Sequence, residues 1–355
     1  MSMTNDDMKG VYELLDKFME KCNLVSEKHP YIVIILMHEY FRNIWPNDSF
    51  IEEKLSNDKL ECIILCLKNC IDIIESIKNV GSYFNSEIFR NMLKKFEKEP
   101  NKEDELTQTV YGNLWDNLDN TYLINESKQV LENIFEKNDI SINEIKGKTV
   151  LDMGCGSGRF TIGFAQLGAK MVTGVDLGAT GIEIGRKTSE ELSLENIKFI
   201  KNNVLTLPFE DESFDFVFSK GVLHHTGDLE NGLNEFHRVM KKGGKGYLYL
   251  YGSGGLFWHS RTKMREVMKK IPMNYTLRVL DIVGMPQKRY VFADSWYVPI
   301  EEHVSRKYLE EFLSSKFSKI QKVENTGDLN VNSMSNIPYS NELWGDGELR
   351  YFITK

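Results

Sequence analysis

Hydrophobic and polar positions divide the chain into two kinds of segment. Over roughly the first hundred residues, apolar positions recur at helical spacing, as in Tyr31–Tyr40 and Leu60–Ile77, and glycine-rich turns are missing. This pattern predicts several packed helices, with breaks at Pro46 and Pro100. From Val150 onward, short apolar runs are separated by turns and helical stretches, which is typical of an α/β fold.

The second part of the chain supplies the strands of a sheet. Apolar runs bounded by turn residues predict strands, and longer amphipathic runs predict the helices between them. Residues 325–347, rich in Asn, Ser, Gly and Asp, are predicted to be a loop. After a first strand at Val150, the predicted strands are Met171–Val175, Phe199–Ile200, Phe214–Phe218, Gly246–Tyr251, Lys319–Glu324 and Glu348–Thr354, with helices at Arg159–Leu167 and Arg306–Phe317.

Val150–Gly158, VLDMGCGSG, combines a strand, a carboxylate and three alternating glycines. Glycines let the backbone approach a nucleotide closely. The carboxylate of Asp152 would oppose a pyrophosphate at this turn, but it suits a ligand that carries an ammonium and a sulfonium. Arg159 also stands where a dinucleotide motif needs its last glycine. The turn therefore favours an adenosyl cofactor.

Two later positions fit the rest of such a cofactor. Asp176 ends the second strand, about 20 residues beyond the turn, where an acidic side chain accepts hydrogen bonds from ribose hydroxyls. Asn203 and Val204 follow the third strand. There an amide oxygen can accept from an adenine amino group, and a backbone N–H can donate to a ring nitrogen.

Residues 147–254 resemble a class I SAM-dependent methyltransferase of the small-molecule, UbiE-like type. The matching motifs are VLDMGCGSG, VTGVDLG, NNVLTLPFEDESFDFVFS, GVLHHTGD and RVMKKGGKGYLYL. The resemblance implies a Rossmann-like seven-stranded mixed sheet with flanking helices, here joined to an N-terminal all-helical domain. It also implies S-adenosyl-L-methionine as cofactor, held around its methionine part by Asp152, Gly154, Cys155, Gly156 and Gly158, at the ribose by Asp176 and Leu177, and at the adenine by Asn203 and Val204.

The expected organisation has three parts. Residues 1–105 form a helical cap or substrate domain, 106–145 connect it over the cofactor, and 146–355 form the methyltransferase core with an insert at 255–300. Tyr111 and Trp115 in the connection are suited to covering a sulfonium, and equally to anchoring the helical domain.

The insert is a candidate acceptor pocket because it follows the fifth strand, at the edge where open α/β sheets bind ligands. Its candidate substrate-binding residues are Trp258, His259, Trp296, Tyr297 and, just beyond it, His303. The insert also carries basic residues from Arg261 to Lys270, and the lysines among them are expected to form the solvated face of an amphipathic helix.

Lys220, His224 and His225 are the candidate catalytic residues, because the end of the fourth strand faces the methyl group in this fold. Histidine titrates near working pH and suits a general base; Lys220 is also a candidate cofactor contact. The alternative for the histidines is packing. Ser219–Val222 lacks the motif of base-amino methyltransferases, which disfavours nucleobase methylation.

Charge and composition limit the classes of partner that the chain is expected to bind. The net charge of −8 and the pI near 5.6 argue against nucleic acid and anionic membranes. No apolar stretch of about 18 residues occurs, and the first ten residues do not resemble a signal peptide, so a soluble cytoplasmic protein is expected. Cys62, Cys66 and Cys70 repeat along one helix, which cannot wrap a metal tetrahedrally, so no metal is expected.

The predicted function is methyl transfer from S-adenosylmethionine to nitrogen or oxygen of a small-molecule, amino-acid-derived or peptide acceptor. Two alternatives remain at this point: a catalytically silent SAM-binding interaction protein, and a protein or tRNA methyltransferase with a local basic patch. The sequence does not choose the acceptor atom or the oligomeric state.

Overall fold

The computed structural model describes residues 5–44, 58–80, 120–284, 289–323 and 339–355. They fall into two compact units. The helical unit contains the described residues of 1–102 together with 254–298 and 339–345, and the sheet unit contains the remainder. The insert after the fifth strand therefore groups with the N-terminal helices.

The helical unit is built on amphipathic helices. Helix α2 buries Val33, Ile34, Met37 and Phe41, at the three- and four-residue spacing that the sequence predicts. Its described helices are α1 (Asn5–Val25), α2 (Pro30–Ile44), α3 (Asp58–Val80), α8 (Gly255–Met268), α9 (Met273–Ile282), α10 (Arg289–Tyr297) and α12 (Ser340–Trp344).

In this unit, Lys269 and Lys270 are exposed, as expected for a solvated basic face, whereas Arg261 and Arg265 are buried. Arg265 instead donates to the carbonyl of Val298. The predicted loop contains α12, because Leu343 and Trp344 are buried and the Trp344 indole donates to the Ile44 carbonyl at 3.1 Å. Of the three helical cysteines, Cys70 is buried and Cys62 is exposed.

The sheet unit contains the expected seven-stranded mixed sheet, in the order β3-β2-β1-β4-β5-β7-β6. Strands β1 to β5 are parallel, and β7 runs antiparallel between β5 and β6. The strands are β1 (Thr149–Met153), β2 (Met171–Asp176), β3 (Ile197–Lys201), β4 (Phe214–Lys220), β5 (Met240–Tyr251), β6 (Lys319–Lys322) and β7 (Glu348–Thr354).

Helices cover this sheet, and their side chains fill its core. One core cluster joins β1, β4, β5 and β7 to α7 and α11 through residues such as Leu151, Leu248, Phe236 and Leu309. On the other face, Phe164 of α5 packs on Phe216 and Phe218 of β4. The helices of this unit are α4 (Asn120–Glu136), α5 (Arg159–Gln166), α6 (Ala179–Glu191), α7 (Leu229–Val239) and α11 (Arg306–Lys316).

Strand β5 is longer than predicted. It begins at Met240, which pairs with Phe214, so Gly243 and Gly244 lie within the strand rather than in a turn before it. A register shift between Phe214 and Phe216 accommodates the additional residues.

Candidate active site

The glycine turn joins β1 to α5 at the carboxyl edge of the parallel strands. Gly154, Gly156 and Gly158 all have positive φ, at 86°, 53° and 81°. The backbone N–H groups of Gly154 and Cys155 donate to the Val175 carbonyl at 2.8 and 2.9 Å. The turn is thereby tied to the end of β2, and it needs glycine at three alternate positions.

Packing explains two of these glycines independently of any ligand. A Cβ added at Gly154 would lie 2.3 Å from Cγ2 of Val222, and one added at Gly158 would lie 2.5 Å from Cζ of Phe199. These separations are too short for carbon atoms, so a larger residue at either position must displace its neighbour.

Asp176 holds the turn in shape. Its two carboxylate oxygens accept from the Gly156 N–H at 2.8 Å and from the Gly178 N–H at 2.7 Å. Burial raises the pKa of Asp176, and these two hydrogen bonds oppose the rise. The carboxylate predicted to bind the ribose therefore also orders the loops that would surround it.

Asp152 is a buried carboxyl group behind the turn. It is 2% exposed and accepts a hydrogen bond from the Thr161 hydroxyl at 2.6 Å. Burial raises the pKa of Asp152 to about 7, the hydrogen bond from Thr161 opposes the rise, and the negative charge of Asp176 adds to it. The negative charge of Asp176 beside this buried carboxyl group makes the region electrostatically suited to a cation.

Cys155 is a packing residue of the turn. It is buried against Ile182 and Phe199, and burial raises the pKa of its thiol, which disfavours a nucleophilic role. Its contact with the cofactor stays a prediction. Leu177 is half-buried directly after Asp176.

The predicted adenine residues differ in exposure. The Asn203 side chain is exposed, and its amide oxygen accepts from the Leu205 N–H at 2.9 Å, so this oxygen caps a local turn. Val204 is buried in the core cluster. The adenine contact of both residues stays a prediction.

Lys220 ends β4 and extends along the sheet edge. Its ammonium lies 5.1 Å from the centre of the Phe160 ring, in the first turn of α5, and 6.0 Å from the centre of the Tyr249 ring. The structure thus brings Lys220 next to the helix that follows the glycine turn.

His224 and His225 lie in a short 3₁₀ turn, Leu223–His225, after β4. His224 is fully buried and stacks on Tyr251 with 3.7 Å between ring centres, an arrangement that fits the packing alternative. Nδ1 of His225 lies 2.7 Å from the Ile300 carbonyl. Because a carbonyl only accepts, this contact places a proton on Nδ1 and leaves Nε2 as the basic nitrogen of a neutral ring.

The predicted substrate residues do not all lie in the same unit. In the helical unit, Trp296 is fully buried, and the Tyr297 hydroxyl donates to the Ile271 carbonyl at 2.9 Å. Trp258 is 2% exposed, and His259 packs edge-on against Tyr12 at 5.1 Å. The contacts of the tryptophans and of Tyr297 belong to the interior of that unit, whereas the His259 side chain is 39% exposed.

His303 lies in the sheet unit, 3.0 Å from the Glu301 carboxylate. It lines a groove of about 440 Å³ together with Asp228, Glu230 and Glu302. Tyr111 and Trp115 lie outside the described residues. A substrate role for all of the predicted acceptor residues stays a prediction.

The sequence patterns missed a charged group on β7. Glu348 and Arg350 alternate along an otherwise apolar strand, and the Tyr249 hydroxyl donates to Glu348 at 2.6 Å. The available indication in the sequence was two charged residues, two positions apart, in a predicted strand that is otherwise mostly apolar. Its connection to Tyr249 depends on strand pairing that sequence alone does not display.

Residues 151–248 match a family model described as a methyltransferase domain. Demethylmenaquinone methyltransferase of Staphylococcus epidermidis is 34% identical over 146 residues, which cover 39% of this chain and 58% of that protein. The enzyme of the same name from Listeria welshimeri is 37% identical over 102 residues, covering 28% of this chain and 43% of that protein. The chain thus spans less than two thirds of the length of these relatives.

Solved structures give a second comparison. A SAM-dependent methyltransferase from Thermotoga maritima, described as a possible histamine N-methyltransferase, aligns with a TM-score of 0.42 and 19% identity over 70% of this chain and 99% of its own. The YcgJ protein from Bacillus subtilis aligns with a TM-score of 0.40 and 15% identity over 62% of this chain and 94% of its own.

Within the described ranges, no helix is long and apolar enough to cross a membrane, and no His, Cys, Asp and Glu cluster is suited to a metal ion.

Proposed function

We propose that the chain, whose residues 151–248 match a methyltransferase domain, is a class I SAM-dependent enzyme that transfers the methyl group of S-adenosylmethionine to a small-molecule acceptor. The cofactor supplies an electrophilic methyl group on a sulfonium. The observation that carries the proposal is the pair of carboxyl groups, Asp152 and Asp176, at a glycine turn on the carboxyl edge of the sheet.

The site fits this cofactor by charge. Burial, and to a smaller extent the negative charge of Asp176, raise the pKa of Asp152, and a positively charged ligand would favour the ionised carboxylate. A pyrophosphate would instead add to the negative charge at the turn. The residues that would hold the cofactor are Asp152 and the glycine turn at the amino-acid part and Asp176 at the ribose, with Asn203 and Val204 near the adenine.

Methyl transfer depends more on the alignment of the acceptor and the exclusion of water than on acid–base catalysis. The protein must hold the acceptor atom in line with the sulfur–methyl bond and exclude water. If the acceptor has to lose a proton, His225 is the better candidate base of the two histidines, because the Ile300 carbonyl holds its ring in the tautomer that accepts at Nε2.

The acceptor is proposed to be a small molecule, an amino acid derivative or a peptide, methylated at nitrogen or oxygen. The name of the Staphylococcus and Listeria relatives, demethylmenaquinone methyltransferase, supports the small-molecule class. A role of the helical unit and its insert in acceptor binding stays a prediction.

Calorimetric titration with S-adenosylmethionine and S-adenosylhomocysteine tests the proposal. Both should bind the wild-type chain. Asp176→Asn, which replaces an acceptor of two backbone N–H groups, should weaken binding by about 1.5–3 kcal/mol. Glu195→Gln, which removes an exposed carboxylate, is the matched control and should bind as the wild type does.

Turnover separates an enzyme from a silent cofactor-binding protein. The chain is incubated with S-adenosylmethionine and a panel of small amines, phenols and carboxylates, and formation of S-adenosylhomocysteine is measured. Acceptor-dependent product supports methyl transfer. Tight cofactor binding without product for any acceptor class would favour the silent protein, and absence of cofactor binding would contradict the proposal itself.

A further inference from the structure

A row of polar side chains crosses the sheet beside the glycine turn. Lys220 of β4 pairs with Tyr249 of β5, which pairs with Arg350 of β7. Directly paired residues point to the same face of a sheet. All three lie near the carboxyl ends of β4 and β5, the edge at which open α/β sheets bind ligands.

Arg350 is the buried charge of this row. Its side chain is 10% exposed, it forms an ion pair through Nη2 with Glu348, and its guanidinium carbon lies 4.3 Å from the centre of the Tyr249 ring. Both oxygens of Glu348 are engaged, because the oxygen that does not face Arg350 accepts from the Tyr249 hydroxyl at 2.6 Å.

Three buried donors on this face are unsatisfied in the part of the chain that the structure describes. They are Nε and Nη1 of Arg350 and the hydroxyl of Tyr247, two residues before Tyr249 on the same face of β5. Buried polar groups are nearly always hydrogen-bonded, and leaving the donors of a charged guanidinium unpaired is costly. A single carboxylate, Glu348, satisfies only part of Arg350.

We infer that Arg350 binds an anionic oxygen of the methyl acceptor, a carboxylate or an ionised hydroxyl, and so selects acidic acceptors. This inference rests on the proposed function. A guanidinium donates to such an oxygen through charge-assisted hydrogen bonds, and the Tyr249 ring and Glu348 fix its position. The oxygen of a neutral acceptor of the same shape can also accept from these donors, but without the negative charge that strengthens the hydrogen bonds, so it should bind more weakly.

The test uses the full chain saturated with S-adenosylhomocysteine and titrated with benzoate, with its neutral analogue benzamide and with 4-nitrophenolate. Benzoate or 4-nitrophenolate should bind about tenfold or more tightly than benzamide. Preference for benzoate identifies a carboxylate as the ligand, and preference for 4-nitrophenolate identifies an ionised hydroxyl. Equal binding of all three probes, or of none, overturns the inference.

Variants locate the effect at Arg350. Arg350→Gln should abolish the preference for the anion, and the double variant Glu348→Gln/Arg350→Gln should do the same without leaving an unpaired buried carboxylate. Lys319→Gln, an exposed cation on β6 of the same sheet, is the control and should keep the preference. An anion preference that survives in the double variant overturns the inference.

Binding of S-adenosylhomocysteine, measured in the same samples, keeps the two proposals apart. If the wild-type chain binds it but shows no anion preference, the inference about Arg350 fails and the proposed function stands. If the wild-type chain does not bind it, the proposed function fails. Retained S-adenosylhomocysteine binding in the double variant also shows that lost anion binding is not a loss of folding.

Discussion

The glycine turn and the row formed by Lys220, Tyr249 and Arg350 lie on one sheet, and the charged groups that could face a ligand have opposite sign in the two regions. At the turn, Asp152 and Asp176 are carboxyl groups close enough for one to raise the pKa of the other. Along the row, Arg350 retains donors that Glu348 does not satisfy. The comparison suggests that one sheet edge separates a region for a cationic cofactor from a region for an acidic acceptor.

The largest expected effect is on turnover. With an acceptor from the panel, His225→Gln should lower the rate by about 10²–10⁴ and leave the affinity for S-adenosylmethionine within twofold, because it removes a base and not a cofactor contact. His224→Gln should act through stability instead, since His224 is buried and stacked on Tyr251. Full activity of His225→Gln would exclude this residue as the base.

The next effect concerns the backbone of the turn. Gly154→Ala should lower the free energy of unfolding by about 2–5 kcal/mol, from about 1–2 of positive-φ strain and about 1–3 of overlap with Val222. Gly147→Ala is the matched control: its φ is also positive, at 73°, but nothing lies within 4 Å of the added Cβ. It should lose only the strain, as measured by urea unfolding. Equal losses would show that packing against Val222 does not matter.

A smaller effect should appear in the pH dependence of stability. The pKa of Asp152 is about 7 in the folded chain, against an ordinary value of 3.8. Its folded pKa is raised, so its contribution is fully present below pH 3.8 and is lost as the pH rises through about 7. At pH 8, Asp152→Asn should therefore be more stable than the wild type. The difference between the two pKa values corresponds to at most about 4 kcal/mol of unfolding free energy. We expect about 2 kcal/mol, because local relaxation reduces the cost of the buried charge.

The measurement is urea unfolding of both proteins without cofactor at pH 5 and pH 8. The difference between them should grow with pH. A difference that is the same at both values would show that Asp152 does not change ionisation in this range. If Asp152 also contacts the cofactor ammonium, the same variant should bind S-adenosylmethionine more weakly.

The sequence predicts the turn better than the row for a physical reason. The turn and its partner Asp176 lie within about 25 residues of one another, and glycine spacing, strand length and an acidic strand end are local patterns. The row joins Tyr249 to Glu348 and Arg350 across about 100 residues, and only the pairing register of β5 with β7 brings them together.

The insert after β5 shows the same limit of prediction from sequence. Its helical character and aromatic residues could be recognised from the sequence, but its grouping with the N-terminal helices could not. The burial of Arg261 and Arg265, next to the exposed Lys269 and Lys270, could not be predicted from the sequence either. Burial of this kind is decided by tertiary partners, such as the Val298 carbonyl that accepts from Arg265.

The measurement that tests the central claim most directly is a paired titration of the wild-type chain with S-adenosylmethionine and with NAD⁺. Both ligands carry an adenosine that Asp176 can address, but only the second places a pyrophosphate at the glycine turn. The carboxyl group of Asp152 behind the turn predicts that S-adenosylmethionine binds and that NAD⁺ binds at least about a hundredfold more weakly. Comparable affinity for NAD⁺ would contradict the account.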